Sequence, residues 1–204
     1  GNPLVGLEGR AALLARLGEI AAATPAVFGT PARLGNLYDY LKSHATHNRI
    51  ETGFILATLL RALGPMWPGR SMLEGVPLGD CWPHPAVAGG HVPFHKLTQW
   101  LAYSLLEPLE DASLEVTALD ELTGLPEYRN GGLLLDLGVI EARDPAFHTR
   151  MLSVSEPAVV EWRALTVVAL DRLADKVRKA LGLDVASFPL ACVLEGGTWA
   201  AGRK

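Results

Sequence analysis

Three groups of residues carry side chains whose types and spacing could do chemistry. Lys96, Gln99 and Tyr103 fall at i, i+3 and i+7, which on a helix puts an ammonium, an amide and a phenol on one stripe. Leu97, Leu101 and Leu105 take the opposite stripe. Such a stripe is either a solvated face or the wall of a site. In Leu122-Thr-Gly-Leu-Pro-Glu-Tyr-Arg-Asn-Gly-Gly132, the residues Glu127, Tyr128 and Arg129 stand inside a glycine-flanked turn. Glycine lets backbone approach a ligand closely, and a carboxylate there can activate water. The same residues could equally make a surface turn closed by a Glu–Arg pair. Glu161 and Arg163 flank Trp162 just ahead of an all-apolar stretch. A charge entering a core must be paired, and residues two apart do not face each other on a helix. Each therefore needs a partner elsewhere, on another helix or on a ligand.

Weaker signals surround these. Cys81, His84, His91 and His95 lie within one short stretch, and His44 and His47 form an H-x2-H. Zinc accepts such donors, but Pro83, Pro85 and Pro93 interrupt the spacing. No C-x2-C or H-E-x2-H supports a metal, so neither metal nor cofactor is expected. Leu194-Glu-Gly-Gly-Thr-Trp199 reads as a turn before a helix, whose N–H groups could hold a phosphate with Arg203 nearby. No Walker A or G-x-G-x-x-G sequence is present.

The elements that must position these groups are mostly helical. Apolar spacing predicts helices over 8–23, with Leu13, Leu14, Leu17 and Ile20 toward a core, and over 34–42 and 51–63. Residues 64–92 hold five prolines and six glycines and read as a long ordered loop. A helix over 94–107 should stop at Pro108, followed by a short strand at 114–117 and a short helix at 118–122. Residues 133–140 fit helix or strand. The clearest element is a helix over 156–181, capped by Ser153 or Ser155, carrying an Asp175–Lys179 pair and ended by Gly182. Its all-apolar middle should cross the core and bury Leu165 and Val168.

Composition bounds the partners. With 49% hydrophobic and 20% charged residues, the 204-residue chain can bury a real core, and one helical domain over 1–204 is expected. The net charge of −4 shows no basic excess, which argues against nucleic acid. Two distant cysteines, no signal-peptide pattern and no apolar run long enough for a bilayer point to a cytoplasmic protein away from membranes. The chain opens at Gly1 and stops at Lys204 just after an apparent helix start, so it reads as part of a longer protein.

Gly79-Asp-Cys-Trp-Pro-His84, the 122–132 segment and Leu194-Glu-Gly-Gly-Thr-Trp-Ala-Ala-Gly-Arg203 resemble the uracil-catabolism protein four family, along essentially the whole chain. That resemblance implies a role in pyrimidine degradation, with other enzymes of the pathway as partners, and makes these residues the C-terminal part of the family's length. A shorter resemblance is to the queuosine-salvage N-glycosylase family. Phe94-His-Lys-Leu-Thr-Gln99 is similar to its Phe-Tyr-Lys-Arg-Ala-Gln. Leu122–Gly131 is similar to its Leu-Thr-Ala-Leu-Ala-Asp-Tyr-Arg-Val-Pro, and Val160-Glu-Trp-Arg-Ala164 to its Val-Glu-Ile-Arg-Ala. This second resemblance implies an all-α, DNA-glycosylase-like fold of the helix-hairpin-helix type and hydrolysis of an N-glycosidic bond in a small ribosyl substrate. Glu127 stands where that family has its catalytic aspartate, one methylene longer. Glu127 and Lys96 are thus the expected catalytic pair, with Gln99, Tyr103, Tyr128, Arg129, Glu161 and Arg163 on the substrate. The rival reading is a non-catalytic subunit that presents an intermediate to a partner enzyme.

Overall fold

A computed structural model describes residues 6–67 and 71–203. In chain order the helices are α1 (Leu7–Ala23), α2 (Pro25–Phe28), α3 (Asn36–His44), α4 (Thr52–Leu63), α5 (Lys96–Asp111), α6 (Tyr128–Asp136), α7 (Pro157–Leu181), α8 (Leu190–Val193) and α9 (Trp199–Ala201). Among the described residues six short strands join them: β1 (Arg49–Glu51), β2 (Met72–Leu73), β3 (Val76–Pro77), β4 (Cys81–Pro83), β5 (His91–Pro93) and β6 (Glu115–Thr117). They form three two-stranded sheets, β1 with β6 in parallel, β2 with β3 and β4 with β5 antiparallel. The chain is mostly helical, but the all-α, DNA-glycosylase-like helix-hairpin-helix bundle is not what it builds. The sheets come largely from residues 64–92, where two- and three-residue strands leave no readable period.

Two compact units share the chain. The first comprises the described residues up to Gly79 together with Ser104–Ala118. Here α4 buries Ile55 and Leu59 one turn apart, and the Thr52 hydroxyl at its start donates to the Ala118 carbonyl. β6 returns beside β1, pairing Ile50 with Val116, and both are buried. Two expectations fail in this unit. Leu14 of α1 is 68% exposed, and only Ala21 of that helix is fully buried. α5 also runs through Pro108 to Asp111, because burial of Leu109 in the last turn offsets the missing N–H.

The second unit comprises Asp80–Tyr103 and the described residues from Leu119 onward. α7 is its longest element, with Pro157 at its first position and Gly182 ending it in the left-handed conformation at φ 68°. Its buried positions are Val159, Val160, Thr166, Leu170 and Ala174, one stripe at helical spacing. Leu165 and Val168 lie off that stripe, at 44% and 46% exposure, contrary to the expected burial. An apolar turn shows that a helix is greasy, not which side meets its neighbours; here Leu190, Val193 and Leu194 cover Leu170 and Ala174. No serine side chain caps α7, and Asp175 pairs with Arg178 at 3.1 Å, not with Lys179. The first half of residues 133–140 ends α6 at Asp136, and the second half is turn and bend, not strand. Leu194–Thr198 is a π-helical turn between α8 and α9 and not a loop before a helix, so it lacks the free N–H groups expected to hold a phosphate.

Candidate functional site

Every residue singled out from the sequence for catalysis or binding falls in the second unit. Glu127 takes the cap position of α6, where its Oε1 accepts the backbone N–H groups of Arg129 at 3.1 Å and Asn130 at 3.3 Å. Only 9% of the residue is exposed. Among the described residues Oε2 has no hydrogen-bond partner, and no fully buried side-chain oxygen there lacks one. One oxygen is therefore pinned to the helix end, while the other reaches the surface. Asn130, fully buried, braces the turn from within by donating to the Leu125 carbonyl at 2.9 Å and accepting the Thr198 hydroxyl at 2.9 Å.

The stripe on α5 faces this turn and is not a solvated surface. Gln99 is buried and accepts the Thr123 N–H at 3.2 Å, while the Tyr103 phenol donates to the Thr123 carbonyl at 3.1 Å. Burial, with the charge of Asp171 behind it, pushes the Tyr103 phenol far above its usual range. Both side chains thus hold the backbone ahead of Glu127. Lys96 begins α5 half-buried, and its ammonium makes no ion pair among the described residues. Tyr128 is exposed and accepts the Arg129 Nε–H at 3.0 Å. Glu161 is exposed on α7 with no partner among the described residues.

Arg163 has a different occupation. Its two terminal nitrogens hold the Asp80 carboxylate at 2.9 and 2.8 Å, and its guanidinium lies over the Phe94 ring, 4.1 Å from the centre. Asp80 also accepts the Trp82 indole N–H at 2.6 Å and the Lys96 backbone N–H at 3.0 Å. Burial works to raise the Asp80 pKa, but the bonds from Arg163, Trp82 and Lys96 outweigh it and hold the carboxyl below its ordinary value. Arg163 Nε reaches the Pro126 carbonyl at 3.5 Å, beside Glu127. The start of α5, the Glu127 turn and the first turns of α7 are thereby joined through one guanidinium. Asp80 was invisible as a functional residue in the sequence, because its partner stands 83 positions away. His95, between Phe94 and Lys96, takes a left-handed backbone at φ 48°, and burial, opposed by the charge of Asp80, lowers its imidazole pKa. Among the described residues no three of His, Cys, Asp and Glu come together as a metal site.

Among the described residues, a capping carboxylate with one oxygen outside any hydrogen bond, an ammonium without an ion pair and a half-buried Asp–Arg pair thus stand in one mostly helical unit. The chain belongs to the family described as protein of unknown function DUF1688, whose model matches residues 1–204. Uracil catabolism protein 4 of Lachancea kluyveri is 39% identical over 234 aligned residues, which cover all of this chain and 53% of that protein. Protein urg3 of Schizosaccharomyces pombe is 42% identical over 206, covering 99% of this chain and 49% of the relative. The chain therefore spans about half the length of these curated relatives. No solved structure matches it significantly, so no known fold, glycosylase or other, is supported by comparison.

Proposed function

We propose that the chain serves uracil catabolism by hydrolysing the N-glycosidic bond of a uracil-derived ribosyl compound. The pathway follows from the likeness to Uracil catabolism protein 4. The reaction is supported chiefly by one observation: Glu127 is fixed by two backbone amides through Oε1, while Oε2 has no partner among the described residues. In the proposed step, water adds to the anomeric carbon as the carbon–nitrogen bond breaks. Glu127 stabilises the positive charge developing on the sugar and takes the proton of the attacking water. Lys96 supplies a proton to the departing nitrogen. The products are the free sugar and the N–H base or ureido fragment.

The test is incubation of the protein with ring-opened uridine derivatives and an assay for released ribose or ribose phosphate. Free sugar is expected, and Glu127→Gln should lower turnover by about 10²-fold or more. Tight binding without sugar release by the wild type would overturn the hydrolase reading. It would favour the non-catalytic subunit, a reading supported by Glu127's service as a helix cap.

A further inference from the structure

The Arg129 and Arg203 side chains meet on one indole. Arg129 Cζ lies over the Trp199 ring at 4.6 Å from its centre, and Arg203 Cζ over the same ring at 5.1 Å. The two cations can be no farther apart than those distances laid end to end. Trp199 is itself held by Trp100, edge-on at 5.8 Å, and by the buried Thr198–Asn130 hydrogen bond next to it. Gly202 brings the end of the chain directly onto α6, since a Cβ there would lie 2.2 Å from the Arg129 carbonyl oxygen. Neither guanidinium has a carboxylate partner among the described residues. Beyond the Nε–H that Arg129 gives to Tyr128, their side-chain N–H groups have no acceptor there either.

Two cations over one ring, neither with a carboxylate partner among the described residues, repel each other, in a chain whose net charge is −4. Stacking on an indole orients a guanidinium flat and leaves its in-plane N–H edge outward, the edge that grips a phosphate bidentately. A dianion matches both the charge and the forks. We infer that Arg129, Arg203 and Trp199 form a binding subsite for a phosphate monoester. Resting on the reading of Glu127 as the catalytic carboxylate, the phosphate is that of the ribosyl substrate, held from the residue two positions beyond Glu127.

Calorimetric titration of the whole protein with ribose 5-phosphate, ribose and the dicarboxylate succinate tests the inference. Ribose 5-phosphate should bind, ribose should not, and succinate should compete poorly. Arg203→Ala, at an exposed position, should weaken ribose 5-phosphate binding by about tenfold or more with no change in melting temperature. Arg203→Lys keeps the charge but loses the fork, and should also weaken it. Equal binding of ribose and ribose 5-phosphate, equal competition by succinate, or unchanged affinity in Arg203→Ala overturns the subsite. Ribose 5-phosphate binding that depends on Arg203, in a protein that releases no sugar from any ribosyl compound, upholds the subsite and removes the hydrolase. Sugar release unaffected by Arg203→Ala does the reverse.

Discussion

Glu127 serves two roles that a single substitution can separate. As a cap it needs an acceptor oxygen for the Arg129 and Asn130 amides; in the proposed reaction it needs its charge and its free oxygen. Glutamine retains the acceptor, so Glu127→Gln should melt within a few degrees of the wild type while turnover collapses. Glu127→Ala loses both, with an added stability cost of about 1 kcal/mol. Glu127→Asp restores the side chain found in the glycosylase family and, as a better capping residue, should be at least as stable. Partial activity is its expected outcome, measured by sugar release alongside thermal melting. If Ala loses stability, Gln keeps it and neither changes turnover, the residue is a cap alone. The turn that holds Glu127 was legible because it is contiguous in sequence. The arginines were less so: Arg163 looked like a substrate ligand, but whether a guanidinium is free or already engaged depends on a residue as distant as Asp80.

Among the elements, the contact of α6 with α7 sets the position of that turn. Gly131 lies on α6 where a Cβ would come within 2.9 Å of Trp162 Nε1 and 3.0 Å of the Thr166 hydroxyl. The Trp162 indole N–H bonds the Gly131 carbonyl at 3.1 Å, so neither partner can retreat without losing that bond. Gly131→Ala should therefore destabilise by about 1–3 kcal/mol in urea titrations, despite alanine's better helix propensity. A neutral or stabilising result would show that the helices separate easily there. The long helices were legible from apolar spacing because that spacing is local. Which face of α7 is buried was not, since residues 188–194 that cover it supply the decision from outside the helix. The strands at 72–93 escaped for a simpler reason: two or three residues cannot display an alternation.

For the whole molecule, the response to acid follows from opposing carboxylates. Asp80 has its pKa depressed in the folded chain. Its contribution is present above the ordinary value of 3.8 and is lost as pH falls through the lower folded value. Asp171 has the opposite sign: burial and then Asp175 raise it, outweighing Arg178, so its charge disfavours folding at neutral pH and protonation relieves the cost. Asp80→Asn should lower stability by about 1.5–3 kcal/mol at neutral pH, the worth of hydrogen bonds to charged groups. That gap should stay level down to about pH 5 and narrow below 3.8, as the wild type loses the same charge. Urea titrations across that range check it, and a gap that does not narrow in acid would remove Asp80 from the acid response.

The helix α5 belongs by its first half, Lys96–Tyr103, to one compact unit and by its second half, from Ser104, to the other. The chain changes unit three times, after Gly79, Tyr103 and Ala118. No single cut can therefore release either unit intact. A fragment ending at Gly79 would carry β1 without β6, leaving Ile50 without Val116. One beginning at Leu119 would carry the Glu127 turn without Asp80, Lys96, Gln99 or Tyr103. For dissection by truncation, or recombination with a relative, the protein is indivisible at every position where its units change. Its units can be separated only by joining segments that are not adjacent in the chain.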